Sequence, residues 1–302
     1  DIEIDDYGNV WIATYYNGVY IAPTALSRKY TISQTQKNIF NYQKRTNYEI
    51  TGSENGLVEV NTKPNKHSFF INDSLTVNPM DEIYIIKNNC IITTKSKSYY
   101  FTNIFSNSAA SQNSQLKNLK NISLTGRNSY CIAFKSGYKE VDSIGNISEI
   151  TKPDIYNIQS ASIGADGSVA LGTTKGLYIN NVKIPAFSDQ RILKVSYSKN
   201  DLLFTTQNGF FIFTQNQLHR VKHSASIKDL AFEKIIYDDK YYIAYNVHAI
   251  SIVNKHTLKE EYCINTSDFY TRIKFNHVSL YGDSIFISTN IGILRSQLDT
   301  LI

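Results

Sequence analysis

The chain has 302 residues, of which 42% are hydrophobic and 19% are charged. This balance supports a packed core and excludes global disorder. No apolar run approaches the ~18 residues that a membrane span requires. The net charge of +5 is spread evenly along the sequence, which argues against a nucleic-acid partner.

Residue usage favours strands over helices. Tyr and Phe number 22 and 15, whereas Met occurs once and Pro five times. The sequence starts directly on the strand-like pattern Asp1–Ile4, without an initiator Met or a signal peptide. We therefore expect the chain to be a piece of a longer protein.

An internal repeat is the main signal in the sequence. A five-residue segment, first seen as Val10–Thr14, recurs with a large apolar residue at its centre. The eight central residues are Ile12, Ile50, Ile92, Ile132, Leu171, Phe204, Ile243 and Ile287. The first and last centres lie 275 residues apart over seven intervals, so the period is about 39, close to that of a four-stranded propeller blade.

Turn residues surround each copy of the segment. Pairs such as Gly8-Asn9 and Gly167-Ser168 precede it, and in six copies a Gly opens the next apolar run. Such pairs favour tight hairpins. Each unit is therefore predicted to contain three strands and a weaker fourth, for which Ile147–Ile150 and Lys183–Phe187 are candidates. No segment carries helical periodicity with caps at both ends.

The repeat predicts an all-β propeller of four-stranded antiparallel blades, spanning residues 1–302 as one domain. A single sheet has two apolar faces, and stacking the sheets in a circle buries both of them. Eight repeats predict eight blades, with seven as the alternative. Little chain follows Leu294 to form a last strand, so either terminal strands pair to close the ring or one unit belongs to a neighbouring propeller.

Two stretches carry a family resemblance. Asp5–Thr14 (DDYGNVWIAT) followed by Asn17–Tyr20 (NGVY) resembles the two-component regulator propeller repeat, as does Ala165–Thr173 (ADGSVALGT) followed by Lys175–Tyr178 (KGLY). The other six copies lack the Trp of that pattern. Similar propellers form the periplasmic sensor region of hybrid histidine kinases, mainly in Bacteroidetes, and bind glycan-derived or other small ligands.

The resemblance implies a periplasmic location, as the extracytoplasmic part of an inner-membrane protein. It also implies a sensing role without catalysis in this piece, because no kinase core or membrane helix is present in it. The implied partner is a small ligand, carbohydrate or anionic. A homodimer is left open, and contact with a membrane is expected only through other segments.

No catalytic motif or metal site is predicted. The sequence lacks a nucleophile elbow, a P-loop and a zinc-protease motif. His219 and His223 have helical metal-pair spacing, but in a strand they would lie about 13 Å apart. Cys90, Cys131 and Cys263 show no CxxC spacing, so neither a disulfide framework nor a zinc site follows. We expect no cofactor.

Loops between the second and third strands are the predicted binding site, because function usually resides on loops held by a rigid scaffold. Lys95, Lys135 and Lys175 come from three consecutive units and would form a positive arc on one face. With aromatic and amide neighbours, this arc is predicted to be an anion- or sugar-binding rim; the alternative is an ordinary solvated surface. The remaining predicted site residues are Tyr15, Tyr16, Gln207, Asn246 and Asn290.

Three functional classes fit these observations. The first is the extracytoplasmic sensor, which we favour. The second is a propeller that serves as a protein-interaction scaffold. The third is a propeller lyase, for which His248 lies in a second-to-third loop but has no evident catalytic partner.

Overall fold

A computed structural model shows an all-β protein, with no α-helix among the residues it describes. In that part of the chain no helix is long and apolar enough to cross a membrane. The structure describes residues 2–4, 10–14, 18–22, 31–33, 39–53, 57–62, 66–70, 80–86, 89–94, 98–101, 104–105, 119–125, 129–142, 146–151, 154–224, 230–269, 273–290 and 292–298.

The described strands form eight antiparallel sheets, numbered here in chain order of the repeats. Sheet 1 contains β1 (Ile2–Ile4), β2 (Val10–Thr14) and β3 (Gly18–Ala22), and β4 (Thr31–Ser33) follows it. Sheet 2 contains β5 (Ile39–Lys44), β6 (Tyr48–Ser53), β7 (Leu57–Thr62) and β8 (Lys66–Phe70). Sheet 3 contains β9 (Met80–Ile86), β10 (Asn89–Thr94) and β11 (Ser98–Phe101). Sheet 4 contains β12 (Asn121–Leu124), β13 (Tyr130–Phe134), β14 (Gly137–Val141) and β15 (Ile147–Thr151).

The remaining sheets have four strands each. Sheet 5 contains β16 (Ile158–Ile163), β17 (Val169–Thr173), β18 (Gly176–Ile179) and β19 (Val182–Lys183). Sheet 6 contains β20 (Ile192–Ser198), β21 (Asp201–Thr206), β22 (Gly209–Thr214) and β23 (Gln217–Arg220). Sheet 7 contains β24 (Lys234–Tyr237), β25 (Tyr241–Tyr245), β26 (Ala249–Asn254) and β27 (Glu260–Asn265). Sheet 8 contains β28 (Phe275–Tyr281), β29 (Ser284–Thr289), β30 (Gly292–Gln297) and β4. Two 3₁₀ turns cover Pro185–Phe187 and Thr266–Asp268.

Each of the eight repeats forms the second strand of a sheet, as the periodicity predicts. The predicted fourth strand at Ile147–Ile150 is confirmed as part of β15. The prediction for Lys183–Phe187 is wrong, because β19 ends at Lys183 and the 3₁₀ turn begins at Pro185. Proline has a fixed φ and no backbone N–H, so it suits the first turn of a helix better than a strand.

Seven apolar clusters join sheets 2 to 8 in a circular order. One cluster lies between each sheet and the next, from sheet 2 through sheet 8. The seventh returns from sheet 8 to sheet 2, where Phe286 and Ile293 pack against Ile39 and Tyr42. The second strands are apolar on both sides because each is covered by two neighbouring sheets.

The predicted central residues of the eight repeats are not all structurally equivalent, because the side chains of two of them point to the other face of the sheet. Ile92, Ile132, Leu171, Phe204 and Ile287 all belong to the cluster shared with the preceding sheet. By contrast, Ile50 and Ile243 belong to the cluster shared with the following sheet. The predicted segments are therefore out of register by one residue in the second and seventh repeats. Hydrophobicity alone did not reveal this, since both faces of these strands are apolar while side chains alternate with period two.

The last sheet obtains its fourth strand from the opposite part of the chain. Ile293, Leu294 and Arg295 of β30 pair antiparallel with Ser33, Ile32 and Thr31 of β4. Closure thus uses residues 31–33 rather than the first strand of the chain, β1, which pairs with β2 in sheet 1. The eight-blade count is not confirmed, because the circular succession of clusters involves seven sheets.

Threonine and glycine of the repeat build the second-to-third turn. The hydroxyl of Thr173 donates to the carbonyl of Gly176 (2.9 Å) and accepts the N–H of Lys175 (3.1 Å). Thr289 and Gly292 make the same first contact at 2.8 Å. Gly176, Gly209 and Gly292 have φ values of 137°, 146° and 138°, which side chains disfavour. This geometry explains why the predicted Gly recurs at the start of the third strand.

Side chains of the innermost strands bind the backbone of neighbouring innermost strands all around the circle. Each innermost strand has one edge without a strand partner, so its carbonyls need other donors. In seven of these contacts a side chain donates to a backbone carbonyl: Asn276 to Ile39 and Ser279 to Tyr42 (sheet 8 to 2), Gln43 to Ile83 (2 to 3), Tyr84 to Ile122 (3 to 4), Ser162 to Leu124 (5 to 4), Tyr237 to Tyr197 (7 to 6) and Lys234 to Asn276 (7 to 8). In the eighth contact the hydroxyl of Ser162 accepts the backbone N–H of Tyr197 (sheet 6 to 5).

Truncating the contact between sheets 8 and 2 tests the closure. Phe286 is 4% exposed, and its ring centroid lies 5.3 Å from that of Tyr42. We expect Phe286→Ala to lower the free energy of unfolding by about 3–5 kcal/mol, because it opens a cavity at this junction. The control Leu218→Ala, on the exposed strand β23, should change it by at most about 0.5 kcal/mol in urea denaturation. Equal small losses for both variants would contradict the closure.

Candidate functional site

Seven polar side chains, one from each innermost strand of sheets 2 to 8, stand at one register level. In every sheet the partner of this residue on the second strand is the structurally equivalent one, near the end of that strand that leads into the second-to-third loop. In five of the seven sheets a break in register directly precedes this residue, which is how a β-bulge re-aims a side chain. We call these residues the polar layer: Asn41, Glu82, Asn121, Ser160, Lys194, Lys234 and His277.

A cavity of about 350 Å³ adjoins the polar layer along the axis of the circle. Six of the seven innermost strands line it; β16 is the exception. The hydroxyl of Ser123 on β12 donates to the carbonyl of Val195 on β20 (2.9 Å). This contact lies between β16 and the cavity, so β16 does not line it. The volume falls in the range of small-molecule sites.

An ion pair crosses the axis of the circle. The Lys234 ammonium lies 2.9 Å from the Glu82 carboxylate, and these residues belong to sheets 7 and 3, which are not neighbours. Both side chains are largely buried, with 21% and 14% exposure. Lys234 also lies over the ring of Tyr245, at 5.9 Å from its centroid. The pair therefore spans the circle at the level of the polar layer.

A second lysine spans the wall beside this pair. Lys194 of β20 is 5% exposed and donates to the side-chain oxygen of Asn121 and to the carbonyl of Ile122, both on β12. It thus reaches across β16, as the Ser123 contact does. Lys194 and Lys234 bring two buried ammonium groups to one end of the cavity.

The opposite end of the cavity opens among the hairpins that join first and second strands. Arg45 follows β5, and Asp238 and Asp239 follow β24. The Asp238 carboxylate is used in its own turn, where it accepts the N–H groups of Lys240 and Tyr241 at 2.8 and 2.7 Å. We call this end the hairpin mouth and the polar-layer end the floor.

Aromatic rings form much of the wall between floor and mouth. Tyr84 and Tyr130 meet edge to face with centroids 5.5 Å apart, and Tyr237 and Tyr245 lie on the other side. Burial raises the pKa of Tyr130 to about 12, so its hydroxyl stays protonated and donates to the carbonyl of Ile85 (2.9 Å). The wall therefore offers ring faces and fixed hydroxyls rather than charge.

Most of the predicted loop residues lie at the floor end of the molecule, outside the cavity. Lys135, Lys175 and Gln207 are exposed in second-to-third turns, as predicted. The backbone of Lys135 accepts the N–H of Ile158 (3.2 Å), which ties its turn to the next sheet. Tyr15, Tyr16 and Lys95 lie outside the described residues. The ligand-binding role of this rim stays a prediction.

The side chains of the two predicted asparagines form hydrogen bonds with the backbone of nearby loop residues. The side-chain oxygen of Asn246 accepts the N–H groups of His248 and Ala249 (2.8 Å each), and its amide donates to Ala231. Asn290 accepts the N–H of Lys274 at 2.8 Å. His248, the residue considered for a lyase, is exposed. Within the described ranges no group of three His, Cys, Asp or Glu side chains is placed to hold a metal ion.

Sequence reasoning missed the polar layer because it searched loops rather than strands. Lys194 lies inside the first strand ILKVSYS, whereas Lys234 and Glu82 stand directly before the apolar runs IIY and IYII. A charged residue inside or at the start of a run that must be buried is the signal that was available. What the sequence did not show is that these residues share one level and face one axis.

His223, set aside in the sequence as half of a metal pair, forms a buried polar cluster. Its Nδ1 lies 2.7 Å from the Glu260 carboxylate, and Ser251 donates to that carboxylate at 2.5 Å. The two side chains are 4% and 7% exposed. Because Ser251 and Glu260 both contact the Nδ1 side, the arrangement lacks the serine on Nε2 that a catalytic triad needs. The cluster instead fastens the segment after β23 to β26 and β27.

The His223–Glu260 cluster should make stability sensitive to acid. Burial raises the pKa of Glu260, but hydrogen bonds from His223, Ser251 and the N–H of Ser224 outweigh it, so the pKa is lowered from 4.5. A lowered carboxyl pKa stabilises the fold above the unfolded value and loses that contribution as pH falls through the folded value. We expect the unmodified chain to have a larger free energy of unfolding than Glu260→Gln at pH 7. This difference should become smaller as the pH falls to 3, as measured by denaturant titrations. A difference that widens on acidification would contradict this assignment.

Comparison with known proteins adds the fold class. No family model and no curated protein matches the chain. Among solved structures, the computationally designed Ika8 protein is 7% identical, with a TM-score of 0.59 over 88% of this chain and 98% of that one. The Neurospora crassa Pan2 WD40 domain is 10% identical, with a TM-score of 0.55 over 89% and 95%. The chain folds as a β-propeller.

A third propeller-type neighbour is an enzyme. A catalytically inactive variant of virginiamycin B lyase from Staphylococcus aureus, solved with quinupristin, is 14% identical, with a TM-score of 0.50 over 81% of this chain and 90% of that one. At such identities the likeness concerns the fold alone, since propellers serve many functions.

Proposed function

We propose that this propeller is a non-catalytic ligand-binding module that senses a small molecule in its central cavity, as the periplasmic sensor region of a two-component signalling protein. The ring that we propose has seven blades, sheets 2 to 8, which is supported by the seven clusters that join them. The sensor assignment rests on the two stretches that resemble the two-component regulator repeat.

The main support for a ligand-binding function is the cavity itself. It has a volume of about 350 Å³, ring faces on its wall and buried charges at its floor. Apolar walls with a few converging polar groups are the usual composition of a small-molecule site. Its lining comes from six blades, so a ligand there contacts most of the ring at once.

This arrangement supports a sensing role physically. A ligand that contacts several blades changes the relative stability of their arrangements if it binds one arrangement more tightly. The polar side chains that join neighbouring innermost strands lie on the same strands as the lining. Binding in the cavity thus acts on the contacts that hold the blades together.

Blocking the hairpin mouth tests the proposal. Leu280 is half-buried in the cavity lining near the end of β28. We expect Leu280→Trp to weaken binding of any cavity ligand by at least about tenfold, equivalent to 1.4 kcal/mol, because the larger ring occupies the cavity. Ligands would be found by thermal shift with amino acids, sugars and organic acids, and measured by calorimetry.

The matched control is Leu218→Trp, the same substitution on the exposed strand β23. It should bind as the unmodified chain does. In the full-length protein, Leu280→Trp should remove the ligand-dependent change in phosphotransfer output and Leu218→Trp should keep it. Equal binding by both variants would overturn the cavity as the sensing site.

A further inference from the structure

Polar side chains on the wall of the cavity donate their hydrogens to the ring itself. In six of them a hydroxyl or amide group bonds a backbone carbonyl on the innermost strand of another sheet. These six lining residues are Gln43, Tyr84, Ser123, Tyr130, Tyr237 and Ser279. Their hydrogens satisfy the free inner edges of the strands and are therefore not offered to a ligand.

What these groups still offer a ligand is oxygen lone pairs. A Ser or Tyr hydroxyl has one hydrogen and two lone pairs, so it can accept a hydrogen bond after donating one. Ser279, for example, donates at 2.8 Å to a carbonyl of β5 and keeps its lone pairs. Lys194 and Lys234 are likewise engaged within the ring, with Asn121 and Glu82. The side chains between floor and mouth therefore favour a ligand that donates hydrogen bonds.

Gln43 supplies the best-defined acceptor on this wall. Its amide nitrogen donates to the carbonyl of Ile83 and to the side-chain oxygen of Asn41 (3.3 Å), so both of its hydrogens are used. These contacts fix the orientation of the amide, because the reverse orientation would set its oxygen against the Ile83 carbonyl. Gln43 is half-buried in the cavity lining, and its Oε1 is left to accept a hydrogen bond from a ligand.

Tyrosine rings on two sides of the cavity favour a flat ligand. Tyr84 and Tyr237 belong to sheets 3 and 7 and are half-buried in the lining. Their hydroxyls are held by the carbonyls of Ile122 (3.3 Å) and Tyr197 (2.7 Å), which fixes the direction of each ring. Aromatic rings pack favourably against a further flat ring. The volume of about 350 Å³ is at the low end for ligand sites, which restricts the ligand to one ring or two fused rings.

We infer that the cavity selects small flat ring compounds that carry an N–H or O–H donor, and that Gln43 Oε1 accepts this hydrogen. This inference rests on the proposed function and names the ligand class for the same site. The hydroxyl oxygen of Ser279 lies beside this acceptor, since Ser279 bonds the carbonyl of Tyr42, the residue before Gln43. Gln43 is thus the residue that determines specificity.

Indole and benzofuran test the inference, because they share nearly the same flat shape. Indole has a ring N–H donor, whereas benzofuran has at that position an oxygen that only accepts. Ligand-detected NMR titration should give at least about threefold tighter binding of indole, the effect of one neutral hydrogen bond. Apolar burial alone would favour benzofuran, the less polar of the two. Benzofuran binding as tightly as indole, or no binding of either probe, would overturn the inference.

Replacing the acceptor locates the effect. Gln43→Met keeps the length of the side chain and removes its oxygen, so indole should lose its advantage over benzofuran. Because the result is the ratio of two affinities, a general loss of stability does not imitate it. The matched control is Gln217→Met, the same substitution on the exposed strand β23, which should keep the ratio. A ratio that survives in Gln43→Met rules out this oxygen and with it the inference.

A measurement on the unmodified chain gives the same answer without a variant. The side-chain amide NMR signal of Gln43 should shift when indole is added and stay in place with benzofuran. Equal shifts with both probes, or none with indole, would contradict the assignment of Gln43 as the acceptor.

The two proposals fail separately. If Leu280→Trp blocks both probes but indole has no advantage, the cavity binds ligands and the inference about hydrogen-bond donors is wrong. Should both probes bind to Leu280→Trp as they bind to the unmodified chain, they bind outside the cavity, and both the cavity proposal and this inference are overturned.

Discussion

The free edge of each innermost strand is the constraint on which the rest of this structure depends. In a stack of sheets the inner edge faces the axis, where its backbone groups have no further strand to pair with. The protein meets this requirement with side chains such as Gln43, Ser162 and Tyr237, which bond the backbone of neighbouring strands. The circle is therefore held by polar contacts at its centre and by apolar clusters between its sheets.

The same inner edge carries the polar layer at the centre of a protein with an apolar interior. Three uncharged residues of the polar layer, Asn41, Asn121 and Ser160, stand opposite the small residues Gly52, Ala133 and Gly172 of the second strands. A Cβ on Gly172 would come within 2.7 Å of Ile192, so close packing of adjacent sheets requires the small residue.

The two ends of the channel differ in chemistry. The floor carries buried amines and one carboxylate, whereas the hairpin mouth carries Arg45 and the turn carboxylates of Asp238 and Asp239. A ligand that enters from the hairpin mouth therefore passes Arg45 and the turn carboxylates before it reaches Glu82 and Lys234 at the floor.

The sequence by itself determined the repeat, the all-β class and the second-to-third turns, because local chemistry encodes them. Thr173 with Gly176 and Thr289 with Gly292 build the same turn in two different sheets. It did not determine the register of Ile50 and Ile243, since both faces of their strands are buried and apolar. The tertiary structure alone decided that β4 completes the last sheet, a pairing between residues near opposite ends of the chain. It also decided that Glu82, Lys194 and Lys234 converge, because closing the circle places residues from distant repeats across one axis.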